Sequence, residues 1–237
     1  MPIRKVAVPN TAEQIEKSIV TAILEGELPP GSILPSEREL AVQLGVTRPT
    51  LRETLKQLAK EGWLLIQHGK PTMVADYWQE GGLGVLKTLA KHGDLLSPRM
   101  IGHLLEFRAR LQPAIAEMAA KSDPQALLDY LREAPAPADQ AQAYVEFDWQ
   151  LQVLMAELSG NPIFRLIIND FARAFSILAG FYFVEPRQRQ RSRDFYKTLE
   201  RALKAGRPVK NVVQRAMDES AQVWAELTKA MDGSDDG

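Results

Sequence analysis

The sequence predicts a mainly α-helical chain. An N-terminal winged helix-turn-helix is followed by a C-terminal antiparallel α-helical bundle of about seven helices. Three observations carry this: two capped helices joined by a four-residue glycine-containing turn, a Gly-tipped pair of short extended runs, and helical periodicity with no convincing strand beyond Asp76. With 237 residues, two domains are expected. Their bounds read as 1–76 for the first domain, 77–83 for a linker, 84–231 for the helical domain and 232–237 for a disordered tail.

The first helix runs Thr11–Glu27, with Ile15, Ile19, Val20, Ile23 and Leu24 on one face, and Leu28-Pro29-Pro30-Gly31 ends it. Ser36-Glu37-Arg38-Glu39 is a capping box: the serine hydroxyl accepts a first-turn N–H while Glu39 reaches back to the serine N–H. That opens a short helix, Ser36–Leu44, closed by Gly45 as a C′ residue. Thr47 caps a third helix over Arg48–Glu61, and Pro49 falls in its first turn, where a missing N–H costs nothing. Runs Leu64–Gln67 and Thr72–Val74 read as strands joined at His68-Gly69-Lys70-Pro71.

The third helix has two faces. Leu51, Leu55 and Leu58 are spaced for burial, whereas Arg48, Arg52, Lys56 and Lys60 form a cationic stripe. Arginine at such a position can fork two N–H groups onto guanine O6 and N7. Thr47 and Thr50 can bond phosphates or base edges, and the helix N-terminus favours a phosphate. At the wing tip Gly69 permits close backbone approach, with His68 and Lys70 as donors. A cationic stripe alone is usually a solvated face; here it accompanies a capped preceding helix, a tight turn and a hairpin, and double-stranded DNA is the expected partner.

Residues 1–75 carry a net charge of +1, 76–186 carry −5, 187–215 carry +8 and 216–237 carry −5. The basic run Arg187–Arg215 suits either anionic partners or a solvated face. Helical stretches are expected at about 84–92, 98–121, 124–132, 138–158, 162–184, 187–205 and 208–230. Ile163–Val184 is apolar on most faces and is expected to run unbroken through the bundle centre, with Phe171, Phe175, Phe181, Tyr182 and Phe183 along it. The aromatic residues read as core packing or as the lining of a ligand tunnel; Arg108 reads as a partner of a ligand anion or of a carboxylate.

There is no cysteine, which excludes thiolate metal sites and cysteine nucleophiles. No nucleophile–base pair, Gly-rich phosphate loop or metal cluster is evident, so no enzyme is expected. Neither a signal peptide nor a membrane span stands out, and a cytoplasmic location is expected.

The runs Pro29–Leu40 and Gly45–Glu53 resemble the GntR family of bacterial transcription regulators, and Glu61–Thr72 resembles its fatty-acid-responsive FadR subfamily. The similarity continues through Ser159-Gly160-Asn161-Pro162-Ile163, Tyr182-Phe183 with Pro186, Phe195-Tyr196-Lys197 and Glu219-Ser220 with Trp224. The resemblance implies a homodimer on a pseudo-palindromic operator, released by long-chain acyl-CoA. It implies operator contacts by Arg38, Thr47, Arg48, Thr50 and Arg52 in the major groove and by His68 and Gly69 in the minor groove. It also puts Ser220 and Trp224 in the acyl-CoA response region, and Leu104, Arg108, Phe175 and Tyr182 are expected at the same effector site.

Three residues depart from the subfamily pattern. Pro49 cannot make a hydroxyl contact, and Met217 and Ala221 stand where the pattern has small glycines. Many members of the family bind a metal through one Asp and three His. Here Asp148 is followed a turn later by Gln152, and the histidines are His68, His92 and His103, so neither metal nor cofactor is expected. A regulator answering another effector, such as a free organic acid, and a non-catalytic acyl-CoA-binding protein remain the alternatives.

Overall fold

In a computed structural model, residues 11–93 and 96–232 are described. The chain divides into two compact units, 1–95 and 96–237.

The first unit is built on α1 (Thr11–Leu24), α2 (Glu37–Leu44), α3 (Arg48–Glu61), β1 (Leu64–Leu65), β2 (Met73–Val74) and α4 (Leu83–Lys91). Local chemistry sets the helix ends. The Ser36 hydroxyl accepts from Glu39 N at 3.4 Å, and Ser36 N donates to Glu39 Oε2 at 3.1 Å, completing the capping box. Gly45 takes φ +66°, which lets its N–H return to the carbonyls of Ala41 and Val42. Thr47 Oγ1 accepts from Thr50 N to start α3. The buried faces of α1 and α3 then meet, with Leu51, Leu55 and Leu58 in the core beside Ile19, Val20 and Ile23.

The wing is a two-stranded antiparallel ladder with Leu64 opposite Val74 and Leu65 opposite Met73. The first strand stops two residues short of the expected Gln67. A third segment joins the ladder: Gly31 N and Leu34 N donate to the carbonyls of Val74 and Thr72, and Val74 N donates to Ser32 O. From sequence that segment is a loop, too short and too rich in proline to show alternation.

The largest correction concerns residues 77–92. The expected linker packs: Tyr77 is buried, with its ring 4.9 Å from that of Trp63. The helix assigned to the second domain is α4 of the first unit. Thr88 Oγ1 donates to Glu61 Oε2 at 2.7 Å, while Lys91 Nζ and His92 Nε2 each lie 2.8 Å from Glu16 Oε1 on α1. Gly84 permits the approach, since a Cβ there would sit 2.6 Å from the Glu61 carbonyl oxygen and 2.8 Å from its Cα. Gly84→Ala is therefore expected to destabilise the first unit by about 1–3 kcal/mol, the usual cost of overpacking against backbone. Urea unfolding measures it; an unchanged midpoint would mean that α4 shifts freely.

The second unit is a bundle of seven helices: α5 (Pro98–Ser122), α6 (Pro124–Leu131), α7 (Ala141–Leu158), α8 (Pro162–Asp170), α9 (Ala172–Val184), α10 (Pro186–Lys204) and α11 (Lys210–Asp232). Helix α5 packs on α11 and α7, and α7 packs on α8 and α9. Ile115, Ala119, Leu127, Tyr144, Leu151 and Leu199 are among the most deeply buried core residues. The count of seven agrees with expectation, but the membership differs: α4 leaves, and the helix expected over Ile163–Val184 splits. Its halves bend by 63° at Phe171. Among the described residues no single helix is long and apolar enough to cross a membrane; only this bent pair reaches that length and composition. Of the expected tail 232–237, Asp232 ends α11 and the rest lies outside the described residues.

Candidate functional site

The expected DNA-facing residues all reach the surface of the first unit. Arg38, Thr47, Arg48 and Arg52 are exposed, Thr50 is half-buried, and the leucines of α3 point inward. Three of them are already engaged locally. Thr47 spends its hydroxyl on the helix cap and on the Thr50 hydroxyl, 2.8 Å away. Arg52 is paired with Glu37 of α2, a partner fifteen residues earlier that the sequence reading did not identify. Further along the stripe, Lys56 pairs with Glu53 at 2.8 Å. The wing tip carries His68 and Gly69, both exposed. Lys70 N donates to Gln67 O, and Gly69 takes φ +72°, the positive value that the third position of a type II turn requires.

In the second unit Leu104, Arg108, Phe175, Tyr182, Ser220 and Trp224 line one cavity of about 180 Å³. They come from helices α5, α9 and α11, and residues of α7, α8 and α10 complete the lining. Most of the lining is apolar and aromatic: Trp149 and Phe175 are 5.1 Å apart, and Phe107 and Phe171 are 6.3 Å apart. Ser220 Oγ donates to Met217 O at 2.8 Å, and Trp224 Nε1 donates to Pro98 O at 3.3 Å. These bonds tie α11 into its own preceding turn and onto the start of α5. Met217 is buried in the core and lines the cavity, a bulk that glycine lacks.

One wall is polar. Arg108 donates from Nε to Gln152 Oε1 at 3.2 Å, and its Nη2 lies 3.5 Å from Asp148 Oδ2. Gln152 Nε2 donates to the same Asp148 oxygen at 3.2 Å, and the Tyr196 hydroxyl donates to Oδ1 at 3.1 Å. The guanidinium carbon also sits 5.7 Å from the centre of the Phe175 ring. Burial pushes the Asp148 carboxyl above its ordinary pKa, while Arg108, Tyr196 and Gln152 pull it back. Burial and the neighbouring Asp148 raise Tyr196 well above the usual phenol value, so it remains a donor. Of the two roles left open for Arg108, the structure has it paired with a carboxylate. Asp148 and Gln152 lie one turn apart on α7; their meeting with Arg108 depends on α5 and α7 packing side by side. Gln112 went unread: it lines the cavity, is 3% exposed, and its amide nitrogen has no protein partner.

The basic run of α10 is partly spent inside the bundle. Arg189 Nη1 donates to the carbonyls of Phe183 and Val184 at the end of α9, and Arg193 donates to Pro135 O. Among the described residues no group of three His, Cys, Asp or Glu is arranged to hold a metal.

Family models match both parts of the chain. The gntR family of bacterial regulatory proteins matches residues 11–74, and the FadR C-terminal domain matches residues 75–235. The chain belongs to the GntR family. It carries the FadR-type second domain and is a DNA-binding transcription regulator of the fatty-acid-metabolism type, not an enzyme. It is 44% identical over 185 residues to the fatty acid metabolism regulator protein of Shewanella pealeana, covering 78% of this chain and 77% of that one. With the regulator of the same name from Klebsiella pneumoniae it shares 38% over 220 residues, 92% of each chain.

Among solved structures, Lar, described as controlling expression of the Listeria monocytogenes agr system, matches this GntR chain with a TM-score of 0.59. The identity is 16%, the match covers 94% of this chain and 100% of the other, and this likeness shows the fold alone. The GntR match ends at residue 74, yet the packing of the first unit continues through α4.

Proposed function

We propose that this regulator binds its operator as a homodimer in the cytoplasm and leaves it when long-chain acyl-CoA fills the cavity of the second unit. The observation that carries this reading is the convergence of all six expected effector residues on one largely apolar cavity. An acyl chain gains by burying methylenes there, at roughly 0.8 kcal/mol each. Ser220 and Trp224 on α11 would meet the thioester end. Arg108 Nε and Nη2 are held by Gln152 and Asp148, so it serves the effector through its remaining N–H donors or by exchanging those partners.

Release requires that the ligand bind one arrangement of the dimer better than the other. The disfavoured arrangement is the one whose two α3 helices match half-sites about 34–36 Å apart. Operator affinity measured at fixed salt with and without oleoyl-CoA tests the effector. A large fall is expected; unchanged affinity rejects acyl-CoA and leaves DNA binding intact.

For the operator, Arg38, Thr47, Arg48, Thr50 and Arg52 serve the major groove and His68 with Gly69 the minor groove. Pro49, beside Arg48, contributes no hydroxyl. Arg48→Ala is expected to cost about 1–3 kcal/mol and to relax preference at one base position. A loss equal on every sequence would make Arg48 a phosphate contact instead.

A further inference from the structure

Arg52 does not project freely from α3. Its Nε donates to Glu37 Oε1 and Oε2 at 3.1 and 3.0 Å, and its Nη2 donates to Oε2 at 2.6 Å. Glu37 opens α2, directly after the Ser36 cap, so its backbone position is fixed. The bond to Arg52, helped by the charges of Arg52, Arg48 and Lys56, holds that carboxyl below its ordinary pKa. The two side chains remain 54% and 31% exposed, and pairs this exposed add little to stability. A carboxylate beside a helix meant for a polyanion also carries an electrostatic cost. The pair therefore calls for a role other than stability.

The donor count supplies one. A guanidinium has five N–H groups. Glu37 takes the Nε–Nη2 edge and leaves the Nη1–Nη2 edge, whose two parallel N–H groups match O6 and N7 of guanine. An unsupported arginine must lose rotamer freedom when it forks onto a base; here that freedom is lost before DNA arrives.

We propose that Glu37 is a specificity-determining positioning residue, which holds Arg52 so that its free edge reads one guanine in each half-site. This rests on the reading of Arg52 as an operator contact. A mask that merely hides Arg52 from DNA would behave oppositely, since removing it would tighten binding.

The full-length protein is used to select duplexes from a random pool. Single-base variants of the selected operator are then titrated at fixed salt with wild type, Arg52→Ala, Glu37→Met, Glu37→Gln and the Arg52→Ala/Glu37→Met double variant. Arg52→Ala is expected to lose about tenfold discrimination at one position per half-site. Glu37→Met should lose most of that discrimination at the same position. Glu37→Gln, which keeps one acceptor oxygen, should retain part of it. Glu37→Met should add nothing once Arg52 is gone, and affinity for non-specific duplex and its salt dependence should not weaken.

An unchanged base preference in Glu37→Met, with Arg52→Ala impaired, overturns the proposal alone. Tighter operator binding by Glu37→Met with preference intact also overturns it, in favour of the mask. A full base profile in Arg52→Ala overturns the reading of Arg52 together with the proposal.

Discussion

Arg108→Met is expected to destabilise the second unit by about 3 kcal/mol at pH 8, with the deficit shrinking as the solution is acidified. Removing one partner of a buried pair costs roughly 3–5 kcal/mol, and the lower end applies because the Arg108 and Asp148 side chains retain 23% and 13% exposure. The pH dependence follows from Asp148. Burial raises its folded pKa above the unfolded value of 3.8, so the native state holds that proton more tightly than the unfolded chain. Its contribution to stability is complete below 3.8 and is lost as pH rises through the folded value. Without the guanidinium the folded value climbs further, and the sloping region extends to higher pH.

Asp148→Asn removes the titrating group but keeps an acceptor for Tyr196. It should cost less than Arg108→Met and give a flat profile over the same range. Urea unfolding of the three proteins at pH 5 and pH 8 measures both effects. Parallel wild-type and Arg108→Met profiles would show that Asp148 does not depend on Arg108 for its charge.

What could be read from sequence divides along physical lines. Ser36, Gly45, Thr47 and Pro49 act within one helical turn of themselves, so helix ends and the helix-turn-helix were legible. The leucine and cation faces of α3 follow from its periodicity alone. The residues expected at the effector site, some from the aromatic pattern and some from the resemblance, also come together in one cavity.

The failures are tertiary. Gly81–Gly84 looks like a chain break because a sequence does not reveal that the Gly84 Cα must press on the Glu61 backbone. Helix α4 lost its true neighbours for the same reason: Glu16, which receives Lys91 and His92, lies some 75 residues earlier. The largely apolar run over Ile163–Val184 conceals a 63° bend, because no proline or glycine marks Phe171. The Arg52–Glu37 pair was hidden because helix-surface pairing rules reach only three or four residues.

Trp63→Ala is expected to abolish operator binding while leaving the helical content of the second unit intact. Trp63 has no exposed surface and lies directly after Gly62, which ends α3. Its N–H returns to Leu58 O, its carbonyl accepts from Ala75 N, and its ring stacks near that of Tyr77. The residue thus joins the recognition helix and the wing through its backbone, and its ring packs fully buried against Tyr77 in the segment leading to α4. Deleting it costs about 3–5 kcal/mol. A unit of this size has a total stability near the low end of the usual 5–15 kcal/mol, so little would remain.

Trp63→Phe separates ring packing from the indole N–H. That N–H is buried without a hydrogen-bond partner, a cost that the tryptophan already bears and phenylalanine removes. The phenylalanine variant should therefore retain operator binding and lose much less stability than volume alone predicts. Circular dichroism melts with operator titrations of both variants decide the matter. A Phe variant as damaged as the Ala variant would mean that the full bulk of the indole, rather than an aromatic ring beside Tyr77, holds the wing to α3.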